Sequence, residues 1–169
     1  MIIRKAKESD LNELSVFATQ AFYDAYDWYN TAENMRDYVK KYFSTDNLLA
    51  EFKQTDSVFL IAFDDDQKII GYAKMGKGNN NSDLKESHSE IERIYVKTEL
   101  QRSGIGLKLI DEIILIAKKR NQKMIWLGVW QKNEKAVNFY KKIGFEIFGT
   151  TTFVLGNDPQ EDFMMKLVL

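Results

Sequence analysis

The sequence predicts an α+β protein whose central, mixed and mostly antiparallel β-sheet is flanked by helices. Apolar residues recur with helical spacing through the first third of the chain, and period-two patterns follow. Two of the period-two runs flank a polar turn, which is typical of a hairpin. A strand–helix–strand unit then stands in the middle of the predicted sheet. The length of 169 residues fits a single domain spanning residues 1–169.

The first third of the chain is predicted to form one strand and three helices. Ser9 or Asp10 is a candidate N-cap of the first helix. A threonine opens each of the other two helices, in the position of an N-cap. In chain order the four segments are "MIIRKA", "ESDLNELSVFATQAF", "TAENMRDYVKKYF" and "TDNLLAEFKQ".

The rest of the chain is predicted to contain six strands and two helices. Gly144 ends the second of these helices. The predicted strands are "SVFLIAF", "KIIGYAKM", "EIERIYV", "MIWLGVW", "TTFVL" and "FMMKLVL". The predicted helices are "GIGLKLIDEIILIAKKRNQ" and "NEKAVNFYKKI", and the predicted turns and loops include "DDDQ", "GKGNNNSDLKESHS" and "GNDPQ".

Composition excludes several classes of function. The chain has no cysteine, so it has no disulfide, thiolate metal site or cysteine nucleophile, and its single histidine, His88, argues against a histidine metal cluster. A net charge of −1 lacks the basic excess of a nucleic-acid-binding protein, so we expect no direct nucleic-acid partner. The chain shows neither a signal-peptide pattern nor a long apolar run, so we expect a cytoplasmic protein without a membrane partner.

A glycine-rich turn, "QRSGIG" at residues 101–106, joins a predicted strand to a predicted helix. The turn lacks the third glycine of a dinucleotide-binding fingerprint, because Leu109 stands at that position. Free N–H groups at a helix start attract anions, and glycine lets the backbone approach them closely. The residues therefore leave two interpretations open: a pyrophosphate cradle assisted by Arg102, or a structural helix start with glycines for tight packing.

A second motif, "NEKAVNFYKKIGFE" at residues 133–146, follows the strand "IWLGVW". Together the two motifs resemble the GNAT family of acetyl-CoA-dependent N-acetyltransferases, in the family's order and spacing, and the resemblance extends over nearly the whole chain. The residues that match the family patterns are Gln101, Gly104, Gly106, Asn133, Ala136, Phe139, Tyr140, Gly144 and Phe145.

The resemblance implies that acetyl-CoA, as co-substrate, fills a gap between two central strands that splay apart, and it implies no metal. Asn133 would hydrogen-bond the pantetheine arm, although its position also suits an N-cap. Lys142 would lie near the nucleotide phosphates, or it is simply a solvated helix residue. The cofactor-binding residues implied in this way are Ile94, Tyr95, Val96, Arg102, Ser103, Gly104, Ile105, Gly106, Leu107, Asn133 and Lys142.

The resemblance also implies direct attack of an amine on the thioester, with Tyr140 facing the departing thiolate and the Val96 N–H facing the oxyanion. A free tyrosine has a pKa of ~10 and a thiol ~8.5. Tyr140 therefore has either a lowered pKa or the role of a hydrogen-bond donor. The structural alternative for Tyr140 is a ring that fills the core.

Glu92 is the candidate general base, because some family members use a glutamate on this strand. Period two along "EIERIYV" places Glu92 on one face and Ile91, Arg93 and Tyr95 on the other. The alternative is a carboxylate paired with Arg93 or with a lysine across the sheet. Both interpretations remain open from the sequence.

The segment "FYDAYDWYNTAEN" at residues 22–34 combines acidic and aromatic residues without Lys or Arg. Such a surface suits a polycation through charge pairing and cation–π contact; the alternative is a helix end with buried rings. Its candidate acceptor-binding residues are Asp24, Asp27, Trp28 and Glu33.

The details of the chain resemble the PaiA-type branch of the family, which implies a small-molecule amine acceptor of the polyamine type, spermidine or spermine. A protein N-terminus, an amino sugar and a non-catalytic acetyl-CoA-binding role are the alternatives. The sequence leaves monomer and homodimer open.

Overall fold

In a computed structural model, which describes residues 1–77 and 83–169, the described chain forms a seven-stranded sheet and five α-helices. The strands are β1 (Ile2–Lys5), β2 (Val58–Phe63), β3 (Ile69–Gly76), β4 (His88–Val96), β5 (Met124–Trp130), β6 (Glu146–Leu155) and β7 (Asp158–Val168). The helices are α1 (Leu11–Tyr26), α2 (Ala32–Tyr42), α3 (Thr45–Phe52), α4 (Ile105–Lys119) and α5 (Glu134–Ile143). The predicted loop "GKGNNNSDLKESHS" lies partly outside the described residues, and its last two residues belong to β4.

The strand order is β1-β2-β3-β4-β5-β7-β6, and every neighbouring pair is antiparallel except β4 with β5. The mixed, mostly antiparallel sheet predicted from the sequence is confirmed. The parallel pair is short: it runs only from His88 opposite Met124 to Glu90 opposite Trp126. Beyond that point the two strands continue without pairing, so the centre of the sheet opens into a gap.

Both faces of the sheet are covered, and each face carries its own apolar core. Helices α4 and α5 pack on one face, where the predicted stripe of α4 is buried at Leu109, Ile110, Ile113 and Ala117. Helices α1, α2 and α3 cover the other face through Leu14, Phe22 and other apolar residues. In the described parts of the chain, no helix has the length and apolar character required to cross a membrane.

The start of α1 differs from the prediction. Asp10 occupies the N-cap position of α1 but makes no side-chain cap. Instead its carboxylate accepts hydrogen bonds from Arg4 Nη1 and Nη2 at 2.6 and 2.9 Å, and from the Lys7 backbone N–H at 2.6 Å. A short 3₁₀ turn at Glu8–Asp10 therefore precedes the helix and ties it to β1.

The last two strands are longer than predicted. The predicted turn "GNDPQ" was too long, because its last three residues belong to β7. Only Gly156 and Asn157 separate β6 from β7, with Gly156 at φ +62°. Pro159 lies inside β7 opposite Val154. Strand β5 pairs with β7 only from Asp162 onward, so the missing N–H of the proline interrupts no ladder on that side.

A β-bulge interrupts the predicted alternation along β4. Arg93 pairs with Lys74 and Ile91 pairs with Met75, so Glu92 between them has no partner across the strand. Ile91 is consequently buried in the core beneath α4, whereas Arg93 faces α3. The prediction that Ile91 and Arg93 share a face was wrong, because the extra residue reverses the pleat.

Candidate functional site

A cleft of about 1840 Å³ occupies the gap between β4 and β5. The first turns of α4 and α5 border it on one side, and α1, β6 and β7 border it on the other. Because the two parallel strands diverge beyond Glu90 and Trp126, their backbone edges are left open to this space. The cleft is therefore a product of the sheet topology and not of a surface loop.

The glycine turn places the first residues of α4 at the edge of the cleft. Gly104 is the N-cap residue with φ +88°, and Arg102 also has a positive φ, of +69°. The first turn of α4 contains no acidic residue, and its N–H groups have no partners within the helix. A Cβ added at Gly104 would meet no heavy atom within 4 Å, so the backbone is openly accessible. The arrangement suits an anion.

Gly106 fixes the contact between three elements of the cleft. A Cβ added there would lie 3.3 Å from Phe139 Cζ on α5 and 3.8 Å from Val96 Cγ2 on β4. The packing interpretation of the glycines therefore holds at Gly106, while Gly104 faces open space. Ser103 and Ile105 are absent from the cleft lining: Ser103 Oγ donates to the Leu100 carbonyl at 2.6 Å, and Ile105 is buried in the core.

The edge of β4 presents backbone groups to the gap. The Lys97 N–H donates to the Ile70 carbonyl of β3 at 3.0 Å. Successive N–H groups of a strand point to opposite edges, so the N–H groups of Val96 and Ile94 point away from β3, toward β5. Tyr95, between them, donates toward β3 by the same alternation. An extended ligand can add to this edge as a strand does.

Asn133 and Lys142 border the cleft from α5. Asn133 Oδ1 accepts a hydrogen bond from the Ala136 N–H at 3.1 Å, so the residue caps the helix. Its Nδ2 group is not used by the cap and can donate to a ligand. Lys142, in the last turn of α5, is exposed.

Tyr140 lines the cleft and is nearly buried, with 6% of its surface exposed. Its ring packs against Phe139 and Phe145, with centroid distances of 5.3 and 5.6 Å. Burial, and secondarily the neighbouring Tyr26, raises the pKa of Tyr140 well above its ordinary value. The hydroxyl is therefore protonated at neutral pH, which favours the hydrogen-bond donor over the lowered-pKa alternative.

Glu92 belongs to a network of buried charges. Lys74, with 4% of its side chain exposed, forms ion pairs with Glu92 and, at 3.1 Å, with Glu51 of α3. Arg93 binds the same Glu51 carboxylate through two hydrogen bonds of 2.7 Å. Burial opposes ionisation of Glu51, but hydrogen bonds and charge from Arg93 and Lys74 hold its pKa below the ordinary value. The cross-sheet lysine pair considered for Glu92 is the arrangement present.

The acidic aromatic segment contributes to the cleft only in part. Asp24 lines it, whereas Asp27, Trp28 and Glu33 do not. Helix α1 ends at Tyr26, and the 3₁₀ turn that follows, Asp27–Tyr29, leaves Trp28 92% exposed. The rings of the segment that line the cleft are those of the buried Phe22 and of Tyr26 and Tyr29, and the last two lie near the end of β5.

Those two rings meet Trp130, at the end of β5, with centroid distances of 6.5 Å from Tyr26 and 4.9 Å from Tyr29. Sequence reasoning missed Trp130 as a site residue. It also missed Asp162 on β7, which lines the same region. Burial, with Glu161 beside it, raises the pKa of Asp162 to about 6. The sequence carries no local signal for Asp162, since it lies in a polar stretch that was predicted to precede the strand.

Residues 19–145 match the family model described as "Acetyltransferase (GNAT) family". A relative from Lactobacillus delbrueckii subsp. lactis, named an uncharacterized N-acetyltransferase in the pepI 3′ region, is 32% identical over 168 residues. That match covers 99% of this chain and 96% of the relative.

Two solved structures extend the comparison. The PaiA N-acetyltransferase from Thermoplasma acidophilum, in complex with coenzyme A, superposes with a TM-score of 0.83 and 27% identity, over 99% of this chain and 98% of that one. The putative acetyltransferase yncA from Salmonella typhimurium, with its cofactor acetyl-CoA, has a TM-score of 0.69 and 19% identity, over 100% and 94%. At that identity the second match shows the shared fold alone.

Proposed function

Because the chain belongs to the acetyltransferase (GNAT) family, we propose that it acetylates a primary amine of a polyamine such as spermidine or spermine. The general activity, acetyl-CoA-dependent N-acetyl transfer, follows from the family and from relatives named N-acetyltransferases. The identity of the acceptor as a polyamine goes beyond this general activity. Its support is the PaiA-type resemblance of the sequence, together with the chemistry of the acceptor end of the cleft.

We define the acceptor end as the lining contributed by α1, the Asp27–Tyr29 turn, β6 and β7. Its charged residues are two carboxylates, Asp24 and Asp162, and no Lys or Arg from these elements lines the described cleft. The rings of Tyr26, Tyr29 and nearby Trp130 adjoin them. Carboxylates attract ammonium groups, and aromatic faces hold them through cation–π contact. This combination of negative charge and rings is the observation that carries the proposal.

The chain's own residues supply the other requirements of acetyl transfer. The first turn of α4, opened by Gly104, holds the coenzyme A pyrophosphate through backbone N–H groups. The outward N–H groups of Ile94 and Val96 bind the pantetheine arm and polarise the thioester carbonyl. Bound acetyl-CoA supplies the activated acyl group. Tyr140, protonated and nearly buried among rings, donates a hydrogen bond to the departing sulfur.

An acceptor screen with acetyl-CoA tests the proposal. Spermidine, spermine, an amino sugar and a peptide with a free N-terminus are compared by release of free thiol. We expect turnover with the two polyamines, and a spermidine KM that rises with ionic strength because salt screens charge pairing. Turnover with the amino sugar or the peptide, but not with either polyamine, contradicts the polyamine proposal and leaves the acetyltransferase activity standing.

Asp24→Asn provides a sharper test of the acceptor end. Loss of one partly solvated charge pair is expected to raise the spermidine KM roughly two- to fivefold, with kcat nearly unchanged. Asp111→Asn, on the exposed surface of α4, is the matched control, because it removes the same charge outside the cleft lining. Equal effects of the two variants would assign the change to overall charge and not to the acceptor end.

A further inference from the structure

Asp162 lies at the point where the sheet opens. In register it stands between Trp130 of β5 and Thr151 of β6. Its carboxylate lies over Gly128, where an added Cβ would be 3.5 Å from Asp162 Oδ2. Gly128 is an exposed residue of a strand whose preceding four residues are buried, and it belongs to the half of β5 that no longer pairs with β4. The Asp162 carboxylate therefore faces the widened part of the cleft.

Among the residues that the structure describes, the carboxylate of Asp162 has no hydrogen-bond donor at Oδ1 and no ion-pair partner. Its Oδ1 atom is buried and accepts no hydrogen bond from the described residues. None of the ion pairs found in the described chain includes it. A buried carboxylate oxygen without a donor is costly for the folded protein and is available to a donor from a ligand.

Tyr26 interacts electrostatically with both Asp162 and Tyr140. Burial, followed by the charge of Asp162, raises the pKa of Tyr26 to about 12, while a hydrogen bond with Tyr95 lowers it. The same tyrosine influences the pKa of Tyr140. Asp162, Tyr26 and Tyr140 all line the same cleft.

We propose that Asp162 is the residue that takes the proton from the ammonium group of the acceptor. The N–H bond of the ammonium breaks and the proton passes to an Asp162 oxygen, directly or through water, which leaves a neutral amine. The amine nitrogen then forms a bond with the thioester carbon, the C–S bond breaks, and the sulfur takes the second amine proton that amide formation releases. The first proton leaves Asp162 for solvent. This inference rests on the acetyl transfer proposed above and not on which amine is used.

Glu92 is less suited to the same step. Its carboxylate is already paired with Lys74, which is itself held by Glu51. Taking up a proton at Glu92 would leave the nearly buried Lys74 with one partner fewer. Asp162 loses no such pair, and its burial favours the protonated form.

The pH dependence of catalysis distinguishes the two carboxylates. Burial, with Glu161 adding charge from the same strand, raises the pKa of Asp162 to about 6. Titratable tyrosines that line the same cleft are Tyr26 of α1, Tyr95 of β4 and Tyr140 of α5. Strand β5 contributes Gly128 and Trp130 and β6 contributes Thr151, none of which carries a charge. The cation Lys132, beyond β5, lies over the Trp130 ring at 5.8 Å.

The test measures kcat and kcat/KM from pH 5 to 9 with an amine that the wild-type enzyme acetylates. We expect a bend near pH 6 in kcat/KM, below which the rate falls about tenfold per pH unit because Asp162 is protonated. Asp162→Asn should lower kcat by roughly 10²- to 10³-fold and remove the bend, with coenzyme A affinity within about twofold of wild type. Asp162→Glu should restore part of kcat together with a bend.

Glu161→Gln is the matched control on the same strand. Its carboxylate accepts a hydrogen bond from Thr152 Oγ1 at 3.1 Å and does not line the cleft. This variant should keep kcat and move the bend to lower pH, because a charge that raises the pKa of Asp162 is gone.

Three results would overturn the inference: a bend near pH 6 that persists in Asp162→Asn, an increase of the amine KM with unchanged kcat, or a wild-type profile without a bend. The wild-type profile is measured without any substitution, so this third result does not depend on whether Asp162→Asn folds. Failure of polyamines as acceptors would contradict the preceding proposal alone, since the profile is measured with whichever amine is acetylated.

Discussion

Replacement of Gly104 by alanine separates the role of the glycine turn in folding from its role in binding. Gly104 has φ +88°, and an added Cβ would touch no protein atom within 4 Å. The cost of the substitution in the free protein is therefore that of placing an L-residue in left-handed backbone, about 1–2 kcal/mol. For a chain of 169 residues, this corresponds to a fall in Tm of roughly 2–8 °C.

The same Cβ would stand where an anion approaches the first turn of α4. If it displaces a phosphate oxygen from one N–H group, the loss of a charge-assisted hydrogen bond costs about 1.5–3 kcal/mol. The dissociation constant for acetyl-CoA should then rise roughly 10- to 150-fold. Isothermal titration calorimetry of the folded variant gives this number directly, and thermal unfolding without ligand gives the change in Tm.

Gly144→Ala is the control for backbone strain. Gly144 ends α5 with φ +106°, and its added Cβ would meet Leu167 Cδ1 at an ordinary 3.4 Å, away from the cleft lining. This variant should lose at least as much stability as Gly104→Ala while binding acetyl-CoA like the wild type. Wild-type affinity in Gly104→Ala, or an equal loss of affinity in both variants, would refute the assignment of the turn as the pyrophosphate site.

Three further predictions concern buried or partly buried polar groups. Tyr140→Phe should lower kcat by roughly 10²-fold and leave the acetyl-CoA KM nearly unchanged, as steady-state kinetics can measure, while wild-type turnover would assign the ring to the core. Lys74→Met should reduce the free energy of unfolding in urea by about 3 kcal/mol, because it leaves Glu92 without its cation, and a loss below about 1 kcal/mol would contradict this. Hydrogen bonding and charge from Arg4 lower the pKa of Asp10, so this pair stabilises the fold above pH ~4 and the contribution is lost as pH falls through the lowered pKa. Urea unfolding of Asp10→Asn between pH 7 and 2 should therefore show a smaller acid-dependent loss than the wild type, and identical slopes would count against it.

Regular periodicity made the fold predictable, because burial of one face imposes a repeat on the sequence. The stripe from Leu109 to Ala117 placed α4, and the polar turn between two apolar runs placed the β2–β3 hairpin. The gap between two central strands could be predicted because the two motifs resemble those of a family whose sheet has such a gap. The ends of β6 and β7 were not, since Pro159 and its polar neighbours have the composition of a turn while tertiary pairing holds them in a strand.

The bulge at Glu92 marks a different limit. Assigning side chains to the two faces of a strand assumes strict alternation from one residue to the next. A single extra residue in the strand moves every side chain on one side of it to the opposite face. Nothing in "EIERIYV" distinguishes a regular strand from a bulged one, because its charged and apolar residues alternate acceptably in either register. The bulge nevertheless turns Glu92 toward Lys74, and so it decides whether this carboxylate is free or paired.

The acceptor end was difficult to predict for a reason rooted in sheet topology. Local composition drew attention to residues 22–34, but a 3₁₀ turn directs Trp28 into solvent, and only Asp24 of the four candidates lines the cleft. The second carboxylate there, Asp162, is more than 130 positions away and arrives because β7 inserts between β5 and β6. The position of a charge in such a cleft is set by the neighbours of its strand. Asp162 lies over Gly128, where an added Cβ would be in ordinary contact with Oδ2 at 3.5 Å, so a larger side chain at this position would crowd the carboxylate.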